Sequence, residues 1–223
     1  MADAIGQVLA FAVGVSLSPV PMIAVVLMLG TPAGRRNGPA FLAGWVLGLA
    51  VVSTIVLLVA GGAGANNGQP ATWVDVLKLV LGALLLLLAA RQWRGRPRAG
   101  EAAELPKWMR TIDGFTAGRS LAMGVALSGI NPKNLLLTVG AAATVAQVGA
   151  STGDEVVAMA VFVVVATLGP GIPVAIYFAM GERAAKLLDE LKAWMGLHNA
   201  AIMTVLLLVI GAKLIGDGVS GLG

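Results

Sequence analysis

Residues 46–64 read VLGLAVVSTIVLLVAGGAG, and residues 77–90 read LKLVLGALLLLLAA. Neither stretch alternates polar and apolar positions as the strands of a membrane barrel do. Each approaches the roughly 20 apolar residues that a helix needs to cross a bilayer core. Hydrocarbon offers no partner to backbone N–H and C=O groups, so such runs must be helices that satisfy their own backbone. The rest of the chain has the same character. Of its 223 residues 58% are hydrophobic and 12% charged, against about a quarter charged in a soluble domain. The sequence predicts an all-α polytopic membrane protein.

Apolar runs predict about six transmembrane helices, near 4–29, 39–59, 73–90, 118–148, 156–180 and 199–215. The first residues lack the basic stretch of a signal peptide, so the first run is expected as a retained helix. Basic residues then orient the spans. Arg35 and Arg36 lie in the first connection. Arg91, Arg94, Arg96, Arg98, Lys107, Arg110 and Arg119 lie in the third, and Arg183, Lys186 and Lys192 in the fifth. These are twelve of the fifteen basic residues, all in odd-numbered connections. The excess of cytoplasmic Lys and Arg in membrane proteins predicts a multi-pass plasma-membrane protein with both termini outside. Arg91, Arg94, Arg96 and Arg98 are expected to contact anionic lipid headgroups, so the net charge of +4 points to membrane lipid and not to nucleic acid.

Several kinds of chemistry lack their residues. There is no cysteine and one histidine, His198, so no thiolate or His-cluster metal site is expected. No GxxxxGK[ST] nucleotide loop occurs, and no cofactor is expected. Acid–base or nucleophilic catalysis needs a poised His, carboxylate or Cys. Mid-span the chain offers Lys133, serines and threonines, so it is not expected to be an enzyme.

The first and fourth spans are longer than a straight crossing needs, and both carry proline near the middle. The first contains Ser16-Leu17-Ser18-Pro19-Val20-Pro21, and the fourth Ser128-Gly129-Ile130-Asn131-Pro132-Lys133-Asn134. Pro19 and Pro132 are 113 residues apart, about half the chain. Three spans per half reverse the direction of the second half, the pattern of inverted-repeat transporters. The chain thus divides into a first three-helix repeat (1–90), a basic cytoplasmic loop (91–117) and a second repeat (118–223).

Proline lacks an N–H and clashes with the carbonyl four residues back. Pro19 and Pro21 are expected to free the carbonyls of Val15 and Leu17, and Pro132 that of Ser128. Each break also starts a half-helix with unpaired N–H groups and a positive end. Ser18 and Asn131 are placed to cap these half-helices. A lysine near mid-membrane costs at least about 2.5–3.5 kcal/mol, and Lys133 has no acidic residue mid-span to answer it. The expected substrate site is Ser18, Pro19, Pro21, Asn131, Pro132, Lys133 and Asn134, with an anionic group against Lys133. Gly169-Pro170-Gly171-Ile172-Pro173 in the fifth span reads as a further break, with Gly169, Pro170 and Pro173 as hinge or site wall.

Three smaller features complete the reading. Trp73, Trp93 and Trp194 fall at span ends, where indoles favour the interface. Leu187, Leu188, Leu191, Trp194 and Met195 recur at helical spacing and predict a short interfacial amphipathic helix. Gly44 and Gly48, in GxxxG spacing, offer a packing face that a homodimer would use.

Pro19 with Pro21, and Asn131-Pro132-Lys133, resemble the Pro-x-Pro and Asn-Pro-Lys signatures of the lysine-exporter superfamily. Within it the chain is most similar to the actinobacterial glycolipid-addressing (GAP/Sap-like) branch. The resemblance implies a transporter of envelope glycolipids. The amino-acid-exporter branch shows Pro-Gly-Pro where this chain has Val20 between the prolines. The expected partners are membrane lipids and a lipid or small-molecule substrate. The alternatives are a small-metabolite or amino-acid exporter, and a non-transporting scaffold of a lipid-export complex.

Overall fold

The computed structural model describes residues 2–64, 72–96, 107–148 and 150–222. Regular structure among them is helical throughout. The chain runs through α1 (Ala2–Ser16), α2 (Pro19–Leu29), α3 (Gly34–Gly64) and α4 (Thr72–Arg94). After a 3₁₀ segment at Lys107–Gly114 come α5 (Ala117–Val125), a π turn (Ala126–Ile130) and α6 (Pro132–Gln147). The last helices are α7 (Thr152–Met180) and α8 (Ala184–Leu222).

Among the described residues four helices are long and apolar enough to cross a membrane: residues Gly34–Val59 of α3, then α4, α7 and α8. The bent pair α1–α2 makes a fifth if it is taken as one span. Residues 117–147 are assembled from three shorter pieces, each below the length of a crossing.

The prolines account for both interruptions through the residue that precedes them. A proline ring disfavours helical backbone at the preceding position. Ser18 has φ −80° and ψ 106°, and Asn131 has φ −57° and ψ 120°. In each case the proline itself opens the next helix, where a missing N–H costs nothing. The axes of α1 and α2 differ by 52°. Before Asn131 the helix widens first, and the Asn131 N–H bonds the Ala126 carbonyl five residues back at 2.9 Å.

The structure corrects four expectations. The Gly169–Pro173 stretch does not break its helix; α7 runs through Pro170 and Pro173. Gly169 is instead a seat for the end of α1, since a Cβ there would stand 1.9 Å from the Ser16 carbonyl oxygen. The amphipathic segment is not a separate helix either. It is the first part of the 39-residue α8, with Leu188 and Met195 buried and Leu187 and Trp194 exposed. Arg91 and Arg94 belong to the last turn of α4, not to a loop, where cations suit the negative helix end. Finally, Gly44 and Gly48 do not present a free face. A Cβ on Gly44 would meet the Leu121 carbonyl oxygen at 2.0 Å, and one on Gly48 the Ser128 hydroxyl at 2.1 Å. Their face of α3 is occupied by α5 and the π turn, so a homodimer would need another surface. Pro97, Arg98 and Gly100 lie outside the described residues.

The packing places the breaks together. α4 lies along α8, α3 along α5, and α1 against both α6 and α7. The α1–α6 contact sets the first break against the second.

Candidate functional site

Lys133, in the first turn of α6, points across to the end of α1. Its Nζ donates to the Gly14 carbonyl at 3.0 Å, to the Ser18 hydroxyl, and toward the Met203 sulfur of α8 at 3.3 Å. The ammonium thereby closes the carbonyl end of a helix that stops two residues later, a favourable place for a cation. The carbonyl it answers is Gly14's and not one freed by a proline. Ser18 N–H bonds the Val15 carbonyl at 3.2 Å, so that oxygen is already taken. At the second break Asn134 Nδ2 donates to the Leu127 carbonyl at 2.8 Å. In the five-residue register of the π turn this is the oxygen that Pro132, lacking an N–H, leaves unanswered, one residue before the Ser128 carbonyl expected from a four-residue register.

Asn131 caps α6 as expected, accepting from the Lys133 N–H at 3.1 Å. Ser18 does not cap α2. Its hydroxyl donates to Asn134 Oδ1 at 2.8 Å and accepts from Lys133. The serine thus joins the two breaks, and the start of α2 keeps its N–H groups free of a side-chain cap. Ser128 turns back to the Val125 carbonyl at 3.3 Å, away from this group.

These side chains line a cavity of about 160 Å³ with Pro19, Val20 and Pro21. Gln92 of α4 and Asn199 and Met203 of α8 complete its wall. Gln92 lies in the last turn of α4, with Arg91 and Arg94. Phe11, one turn before Gly14 on α1, is fully buried. A Cβ on Gly140 would stand 3.0 Å from its ring and 3.4 Å from Leu214. Gly169, Pro170 and Pro173 do not line the cavity. Of the basic residues proposed for headgroups, Arg91 borders a neighbouring apolar groove. Arg94 and Arg96 are exposed, with the Arg96 guanidinium 3.8 Å from the Trp93 ring. Arg98 lies outside the described residues.

Two further lysines, Lys78 and Lys213, lie within the apolar runs expected to cross the membrane, and sequence reasoning passed over both. Lys78 and Asp75, both buried, stand 3.8 Å apart. Gln147 of α6 bridges them, accepting from Lys78 and donating to Asp75 at 2.9 Å. Lys213 pairs with Asp217 at 2.5 Å and donates to Gln7 of α1 at 2.8 Å. Each of these lysines therefore has a carboxylate. Among the described residues Lys133 has neutral acceptors only. Gln7 and Gly14 are two turns apart on one face of α1, so Lys213 sits about 10 Å along that helix from Lys133.

A family model described as Sap, sulfolipid-1-addressing protein, matches residues 8–220. No curated protein and no solved structure matches the chain.

Proposed function

The chain belongs to the Sap, sulfolipid-1-addressing protein, family, and from that premise we propose that it is a transporter that carries an anionic envelope lipid across the plasma membrane. One observation carries this reading. Lys133 is held between two helix breaks, beside a cavity, without a carboxylate among the described residues. A lysine placed so in a membrane is expensive unless an anion answers it. Met203 is the weakest of its three acceptors, because a thioether accepts poorly. An anionic headgroup entering the cavity replaces that contact with a charge-assisted bond. The positive ends of α2 and α6 add to the attraction. Asn131, Asn134, Gln92 and Asn199 supply neutral hydrogen-bonding groups around it.

The finer architecture is part of the same proposal. Residues 117–147 form one broken span, which with α1–α2 and the four long helices makes six. The halves are inverted repeats, both termini lie outside, and the basic connections face the cytoplasm. Transport rocks one half against the other around Lys133. The Pro-x-Pro and Asn-Pro-Lys motifs support reading the family as a branch of the lysine-exporter superfamily. No catalytic role is assigned to any residue.

Reconstitution of the purified protein tests the substrate class. Vesicles carrying fluorescent phosphatidylglycerol, fluorescent phosphatidylcholine or entrapped lysine should show movement of phosphatidylglycerol above protein-free vesicles. Movement of lysine alone would transfer the protein to amino-acid export. Movement of none of the three by folded protein would favour a scaffold of a lipid-export complex.

A further inference from the structure

The cavity at Lys133, at about 160 Å³, is smaller than the roughly 300–1,000 Å³ of sites that enclose a whole small ligand. It accommodates a headgroup, and the rest of an amphiphile must lie elsewhere. Beside it runs an apolar groove of about 380 Å³, lined by Leu84, Leu87 and Leu88 of α4 and Leu135 and Leu136 of α6, with Arg91 among them.

Neighbouring residues of the chain line the two hollows at two places. On α4, Arg91 borders the groove and Gln92 the cavity. At the second break, Pro132 lines the groove while Asn131 and Lys133 line the cavity. The seam between them is sparsely packed, because α4 spends its contacts on α8. Leu87 and Ile130 are strongly exposed on the groove's walls, so it opens sideways from the bundle.

We propose that this groove holds an acyl chain of the same anionic lipid whose headgroup enters the Lys133 cavity, which makes the α4–α6 seam the lateral portal of the site. The inference rests on the anionic-lipid reading above and adds where the tail lies. Charge selects the occupant. Arg91 on the groove and Lys133 in the cavity present two cations to one headgroup lying across the seam. A zwitterionic lipid brings its own cation beside its phosphate, so it gains less from that pair and prefers this groove less over other lipid-facing surfaces.

Photocrosslinking of the full chain tests this directly. Wild-type protein is placed in phosphatidylcholine vesicles containing phosphatidylglycerol with a diazirine in one acyl chain, or phosphatidylcholine with the same chain. Crosslinks are mapped by peptide mass spectrometry. Crosslinks within 84–88 and 135–136 should be about tenfold richer with phosphatidylglycerol, the discrimination that one charge-assisted hydrogen bond supplies. Exposed Leu208 and Val209 on α8 should label equally with both lipids. Lys133→Gln should remove the excess in the groove and leave α8 unchanged. Equal labelling of the groove by both lipids in wild-type protein would overturn the proposal without recourse to any variant. Preferential labelling without lipid movement would remove the transporter reading and leave the groove assignment standing. Movement of phosphatidylglycerol without preferential labelling would do the reverse.

Discussion

The Ser18 hydroxyl donates to Asn134 Oδ1 at 2.8 Å across 116 residues of chain. The bond ties the first helix break to the second, and Lys133 donates to the same serine oxygen. A local proline effect on each half is thereby turned into one polar centre between α1 and α6.

Ser18→Ala removes a partner from both Asn134 and Lys133 in a buried setting. The cost is expected to be about 1–3 kcal/mol, the penalty of leaving buried polar groups unpaired. In a double-mutant cycle with Asn134→Ala, the pair should cost less than the sum of the two single changes. Thermal unfolding in detergent reads both quantities, and strict additivity would separate the two breaks.

Neutralising Lys78 and neutralising Lys133 should have different consequences. Lys78→Met strands the buried Asp75 carboxylate and is expected to cost about 3–5 kcal/mol of stability. Adding Asp75→Leu should recover much of the loss. Lys133→Met strands no carboxylate among the described residues; it takes a donor from the Gly14 carbonyl and the Ser18 hydroxyl and should cost about 1–3 kcal/mol, less than Lys78→Met. Unfolding of Lys133→Met as severe as that of Lys78→Met would make Lys133 a structural residue.

Glycine substitutions divide by what a Cβ would meet. At Gly44 it would lie 2.0 Å from a backbone oxygen of Leu121, and at Gly169 1.9 Å from one of Ser16. Backbone cannot step aside as a side chain can. Gly44→Ala and Gly169→Ala are therefore expected to lose about 1–3 kcal/mol by overpacking. Gly118, with nothing within 4 Å, should gain on change to alanine, by up to about 1 kcal/mol from helix propensity. Yield of monodisperse protein and unfolding temperature check all three.

Much of the architecture could be read in advance, because hydrocarbon forces apolar runs into helices and proline acts on its immediate neighbours. The interruptions at Ser18 and Asn131 are of this local kind. What Ser18 does with its hydroxyl is not local, since its partner Asn134 lies on another helix. The same holds at Gly169–Pro173, where the end of α1 packs at Gly169 and the helix stays continuous. Gln92, Asn199 and Met203 carried no signal, being neutral residues whose place in the cavity wall depends on how helices pack. Lys78 and Lys213 did carry one. Twelve of the fifteen basic residues lie in the proposed connections, and the remaining three are Lys78, Lys133 and Lys213, all within helices. Asp75 three residues before Lys78 and Asp217 four residues after Lys213 distinguish the paired lysines from Lys133 in the sequence itself.

The measurement that bears most directly on the central claim is phosphatidylglycerol movement by Lys133→Met against wild type, in vesicles holding equal amounts of folded protein. Dithionite bleaching of a headgroup-labelled fluorescent lipid gives the rate. Loss of a charge-assisted bond to the headgroup predicts a rate lower by about tenfold or more. A rate equal to that of the wild type would contradict the assignment of Lys133 as the residue that meets the anion.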